Sequence, residues 1–143
     1  MVAQPQARVT TGSKVNTLVA FAFGAVFVLV GLAGFAVSGG HHAVGQDGGA
    51  LLGLFQINVL HNIVHLAVGA AMIAAGIVGN RQAKLANTVF GVIYLVLFLG
   101  GLFIIGTAAN IVALNGADNV LHLVLGLALT AVGLGADRGH AAR

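Results

Sequence analysis

The chain has 143 residues, of which 59% are apolar and only 6% charged, with a mean hydropathy of +1.04. A soluble domain needs about a quarter charged residues to cover its surface, so a water-soluble or disordered chain is excluded; an integral membrane protein is expected, with the lipid bilayer as its first partner. Six Lys and Arg against three acidic residues form no basic stripe, which excludes nucleic acid, and the absence of cysteine removes disulfides, thiolate metal sites and iron–sulfur clusters.

Residues 1–16, with Pro5 and Ser13, read as a flexible tail, residues 17–136 as one transmembrane domain, and residues 137–143 as a second tail. The first apolar span covers 17–37. A second begins near Leu51 and runs to Val78, interrupted by Gln56, Asn58, His61, Asn62 and His65. The third covers 85–106, within the charge-free interval between Lys84 and Asp118, and the fourth 119–135. Each approaches the roughly 20 residues that cross a bilayer, so the fold class is all-α, a polytopic membrane four-helix bundle. Arg8 and Lys14, Arg81 and Lys84, and Arg138 and Arg143 all fall on one side of this topology. The positive-inside rule makes that side cytoplasmic, with both termini inside and loops 38–50 and 107–117 outside.

Spans two and four align at an offset of 57, pairing Asn62 with Asn119, His65 with His122, Leu66 with Leu123, Gly69 with Gly126 and Gly76 with Gly133. Spans one and three align at 67, pairing Gly24 with Gly91, Phe27 with Tyr94 and Gly34 with Gly101. The pattern reads as two parallel helical-hairpin repeats about an axis along the membrane normal.

At 100° per residue, Asn58, His61, Asn62, His65, Gly69, Met72 and Gly76 share one face of the second helix; Asp118, Asn119, His122, Gly126, Thr130 and Gly133 share one face of the fourth. Polar groups in hydrocarbon need partners and glycines allow close approach, so the two stripes are expected to face each other. His65 lies 13 residues before Val78 and His122 lies 13 before Gly135, about 20 Å into a core of about 30 Å and so towards the outer face. Small residues such as Ala67, Ala71 and Ala75 offer close-packing faces, chiefly for internal contacts but also for a homo-oligomer.

Three chemistries are open to this cluster. Asn58, Asn62 and Asn119 can hydrogen-bond the imidazoles and hold the bundle in register, a structural role. His61 and His65, one turn apart, can ligate a transition metal with His122 and Asp118, and His65 with His122 could be the axial pair of a haem b. A proton or small-solute conduit is the third reading. For Asp118, helix capping beside Asn119 outweighs ligation. His41 and His42 read as solvated loop residues, and His140 as part of a tail. The chain has no GxSxG elbow and no intramembrane pair of carboxylates, which points away from an enzyme.

The segments Gly49-Ala50-Leu51-Leu52-Gly53-Leu54-Phe55, Leu60-His61-Asn62-Ile63-Val64-His65-Leu66 and Asn115-Gly116-Ala117-Asp118-Asn119-Val120-Leu121-His122-Leu123 resemble a family of small, mostly actinobacterial four-helix membrane proteins classed as a domain of unknown function. The similarity runs from about Gly24 to Gly135. It implies a multi-pass protein of the bacterial plasma membrane and names no substrate.

Overall fold

A computed structural model describes residues 14–137. Four helices carry the fold: α1 (Val15–Ser38), α2 (Val59–Val78), α3 (Asn80–Ile104) and α4 (Gly116–Gly135). All four are long and apolar enough to cross a membrane. At 1.5 Å per residue they measure about 30 to 37 Å, which matches the hydrocarbon core. Their outward faces are large aliphatic side chains, such as Leu18, Leu29, Val96 and Leu127, as expected where lipid takes the place of water.

The second span differs from the sequence expectation. Residues 49–57 form an antiparallel hairpin, β1 (Gly49–Leu51) and β2 (Phe55–Ile57), with Leu51 opposite Phe55. Leu52 and Gly53 turn the chain with φ of 55° and 70°. The segment is apolar but cannot extend α2, because its turn sits in the left-handed region and Gly49 must lie flat against the backbone of Val37. Periodicity could not separate this short apolar run from helix. The expected loop 79–84 shrinks to Gly79 alone, whose φ of 138° ends α2 and starts α3. Arg81 and Lys84 therefore stand on the first two turns of α3. α4 likewise begins at Gly116 rather than at residue 119.

The helices pair as consecutive hairpins, α1 along α2 and α3 along α4, with α1 and α3 meeting between them. This corrects the expected face-to-face packing of α2 on α4, which are not neighbours along their lengths. The glycine stripes serve the hairpins instead. A Cβ on Gly69 would stand 2.7 Å from the carbonyl oxygen of Gly24 and 2.8 Å from the backbone nitrogen of Val28, and one on Gly126 would stand 2.9 Å from the nitrogen of Leu95. Residues matched by the two offsets make matching contacts: Gly34 lies against Asn62 as Gly101 lies against Asn119, and Gly76 against Phe21 as Gly133 against Thr88.

At the end of the bundle where α1 begins and α4 stops, Asp137 folds back onto the start of α1. Its carboxylate accepts from the backbone nitrogens of Val15 (3.2 Å) and Asn16 (2.9 Å) and from the side chains of Asn16 (3.0 Å) and Asn80 (2.9 Å). A carboxylate on the orphan N–H groups of a first turn satisfies them and complements the helix dipole. Asn87 joins α3 to α1 by donating to the backbone and side-chain oxygens of Asn16, both at 3.0 Å. The aspartate that follows the fourth helix thus closes this end of the bundle, and residues 15 and 16 belong to α1. Arg8, Arg138, His140 and Arg143 lie outside the described residues.

Candidate functional site

At the opposite end, the loops are tied to the helix starts by asparagines. Asn58, fully buried, is the N-cap of α2: its Oδ1 accepts from the backbone nitrogen of His61 (2.9 Å), and its Nδ2 donates to the carbonyls of Gly45 and Ile111, both at 2.9 Å. Asn115 is the N-cap of α4, in a reciprocal capping box with Asp118. Asp118 thus caps as expected, but from the third helical position, and it also accepts from the backbone nitrogen of Gln56 (3.2 Å). Asn58 and Asn115 stand 57 residues apart, the same offset as the histidines, so the alignment contained both caps. In the first repeat the third helical position is His61 and in the second Asp118.

One turn inside these caps the imidazoles meet the two aromatics paired at the offset of 67. His65 stacks on Phe27 (centroids 5.9 Å apart, 6° between planes), Phe27 on Tyr94 (5.4 Å, 15°), and Tyr94 meets His122 edge-on (5.0 Å, 61°). His61 closes the circuit, 4.6 Å from His65 and 6.4 Å from His122. The cluster thus gathers His61, His65 and His122 from α2 and α4 around an α1–α3 contact, and these rings are the crossing between the diagonal helices. Phe27 and Tyr94 were visible in the sequence as a matched pair but not as partners of the histidines.

The asparagines do not serve the histidines. Asn62 donates to Ser38 Oγ (2.9 Å) and Asn119 rests on Gly101, each within its own hairpin, and Asn58 is used by the cap and the loops. The expected imidazole–asparagine side-chain bonds are absent among the described residues. The Nδ1 atoms of His61, His65 and His122 are all buried without a hydrogen-bond partner. The side-chain oxygens of Asn62 and Asn119 are likewise unpartnered but are packed against Gly34 and Gly101, whereas the three imidazole nitrogens lie together; a buried polar atom left unpaired is destabilising.

Two cavities flank the cluster, and His65, Tyr94 and His122 form the wall between them. One, about 150 Å³, lies between α1 and α4 beneath the β-hairpin, with Leu51, Phe55 and Asp118 in its lining. The other, about 350 Å³, lies between α2 and α3 and includes His61. Its lining includes Val64, Val96 and Leu97, which are exposed on the lipid-facing surface.

Among the described residues no set of three or more His and Asp side chains is arranged to hold a metal ion. Asp118 is committed to the cap. Phe27 and Tyr94 bridge His65 to His122 on one side and His61 on the other, so the space a haem would need between the two imidazoles is filled. Towards the other end of the bundle the core is apolar, with Met72 and Leu129 fully buried between the histidines and the Asn16–Asp137 cluster, which interrupts any polar path.

His41 lies in the loop, where its Nδ1 is 2.8 Å from Asp47 Oδ1, and the His42 backbone nitrogen donates to Asp47 Oδ2 at 3.2 Å. The His41 contact, followed by the His42 amide, holds the Asp47 carboxyl below its ordinary value of 3.8. A depressed carboxylate supports its loop above the ordinary value and loses that support as pH falls through the folded one. An NMR titration should place the Asp47 midpoint below 3.8, returning towards it in His41→Ala; the effect on global stability should be small because the pair is exposed.

Four apolar helices in two hairpins, with buried polar groups turned inward, define a multi-pass membrane four-helix bundle. Within that class the chain belongs to a family described as a domain of unknown function, DUF4383, whose model matches residues 17–135. No curated protein and no solved structure was found to match.

Proposed function

We propose that this is a non-catalytic multi-pass protein of the bacterial plasma membrane, with both termini cytoplasmic, whose buried asparagines build the bundle and whose imidazoles form a binding centre in the outer half of the membrane. The orientation is supported by Lys14, Arg81 and Lys84, which share one end of the bundle with Asp137. The observation that carries the binding centre is the division of labour among polar groups. Asn58 and Asn62 spend their amide groups on the loops and on Ser38, and the unpaired Oδ1 atoms of Asn62 and Asn119 are packed on Gly34 and Gly101 within their hairpins, whereas three imidazoles with unpartnered Nδ1 atoms gather at two cavities.

Replacing His65 and His122 together by Phe tests this reading. Phe keeps the stacking on Phe27 and Tyr94 and removes the unpaired nitrogens, so the thermal midpoint in detergent should stay within a few degrees of the parent or rise. A register-holding role for the imidazoles predicts a marked fall instead. Elemental analysis of the untagged protein beside this variant addresses the metal and haem alternatives: stoichiometric iron, copper or zinc that disappears in the variant would replace the present reading with a cofactor protein.

A further inference from the structure

The two cavities occupy corresponding places at the two seams between the hairpins, α1 with α4 and α3 with α2, but differ in what closes them. Leu51 and Phe55 of the hairpin roof the smaller one, and its third helical position is Asp118, already bonded to Asn115 and Gln56. The larger has no hairpin over it, and the corresponding position is His61. The site with room and with unsatisfied polar groups is therefore the α2–α3 cavity. Of its three imidazole residues His61 is 4% and His122 7% exposed and His65 is half-buried, and the Nδ1 atom of each is buried without a hydrogen-bond partner.

An occupant must enter from the hydrocarbon, past Val64, Val96 and Leu97, which excludes ions and sugars. It must be neutral, because among the described residues no charged side chain lines this cavity. It should be flat, to lie beside Tyr94 and His122, and should carry at least two oxygens, since one hydroxyl cannot serve several imidazoles. A neutral imidazole offers one donor and one acceptor, so it can meet either a carbonyl or a hydroxyl. The volume of about 350 Å³ is at the lower end of the range for small-molecule sites, enough for a head group with its tail left in lipid.

We propose that the α2–α3 cavity binds the head group of a lipid-soluble quinone or quinol, with His61, His65 and His122 hydrogen-bonding its oxygens and the tail passing between α2 and α3 into the bilayer. This rests on the binding-centre reading given above. No electron transfer is implied.

Equilibrium binding of decylubiquinone to the full chain in nanodiscs, against decylbenzene as the tail without oxygens, tests it. Decylubiquinone should bind saturably and at least tenfold more tightly than decylbenzene. His122→Phe should weaken it about fivefold to tenfold, the equivalent of one hydrogen bond. Gly100→Phe should weaken it at least tenfold by filling the mouth. A Cβ at Gly100 meets no atom within 4 Å, and a helical side chain leans towards the preceding turn, here Val96 and Leu97. Ala33→Phe, at the matching position of α1, should bind as the parent does. Equal binding of the two probes, or quinone binding indifferent to His122→Phe and Gly100→Phe, overturns the proposal and leaves a cavity filled by any acyl chain. Absence of quinone binding by a parent whose His65→Phe, His122→Phe variant stays folded overturns the quinone assignment alone. Unfolding of that double variant overturns the binding centre itself.

Discussion

Gly34→Leu is expected to destabilise the bundle by about 3 to 5 kcal/mol, and Gly101→Leu by a similar amount, while Gly100→Ala, on the same helix as Gly101, should change it by less than about 1 kcal/mol. At both sensitive positions a Cβ would overlap the side-chain oxygen of an asparagine, Asn62 or Asn119. That asparagine cannot move away cheaply. Asn62 is fully buried and donates to Ser38, so displacing it adds an unsatisfied amide to the steric clash. Asn119 lacks the Ser38 equivalent, because the matching position is Ile105, so Gly101→Leu should be the milder of the two. Lipid offers no hydrophobic compensation for opening a helix pair, since its tails are as apolar as leucine. Titration with SDS in mixed micelles, followed by circular dichroism, reads the differences; equal tolerance at Gly34 and Gly100 would show that α1 and α2 are not held at this distance.

The four spans were legible because charge is so scarce: 17–37 and 119–135 fall within the helices found, and 85–106 overruns the end of its helix by two residues. The helix ends were not, for a reason particular to membranes. Near the interface, the hairpin of residues 49–57 is as apolar as a helix, and only Gly49 and the turn at Leu52 and Gly53 distinguish it. The polar stripes were also legible as stripes, but not in their partners. A helix face with glycines and asparagines at three- and four-residue spacing says that something comes close, and here that neighbour is the preceding helix. The histidines share the same face and point beyond it to the other hairpin, a difference of a few tens of degrees that periodicity does not resolve. Phe27 and Tyr94, which make the histidine circuit continuous, look in sequence like ordinary apolar residues of a span. Asp137 looked like a tail residue because its partners, Asn16 and Asn80, are more than fifty residues away along the chain.

Asn58→Ala should lower stability by about 3 kcal/mol, roughly three times the effect of Asn115→Ala, although both residues cap a helix by the same bond. The cap itself is worth about 1 kcal/mol in each. Asn115 otherwise donates only to the exposed carbonyl of Leu54, which water can serve. Asn58 is completely buried, and its amide nitrogen is shared by the carbonyls of Gly45 and Ile111, so its removal orphans both. Those two segments meet there, since Gly45 and Val112 form a parallel bridge and the Gly45 nitrogen donates to Ile111. Asn58→Asp separates the two functions. It keeps an acceptor for the His61 nitrogen but turns oxygen towards two carbonyl oxygens, so at neutral pH it should be no better than alanine, and it should improve when acid protonates the new carboxyl. Thermal unfolding of the three variants at neutral and acid pH checks the order. Because the same cap seats His61 and Val112 lines the α2–α3 cavity, Asn58→Ala should also weaken whatever that cavity holds, whereas Asn115→Ala should not. An equal loss of stability in Asn58→Ala and Asn115→Ala would mean that the loops are held by something other than the Asn58 amide.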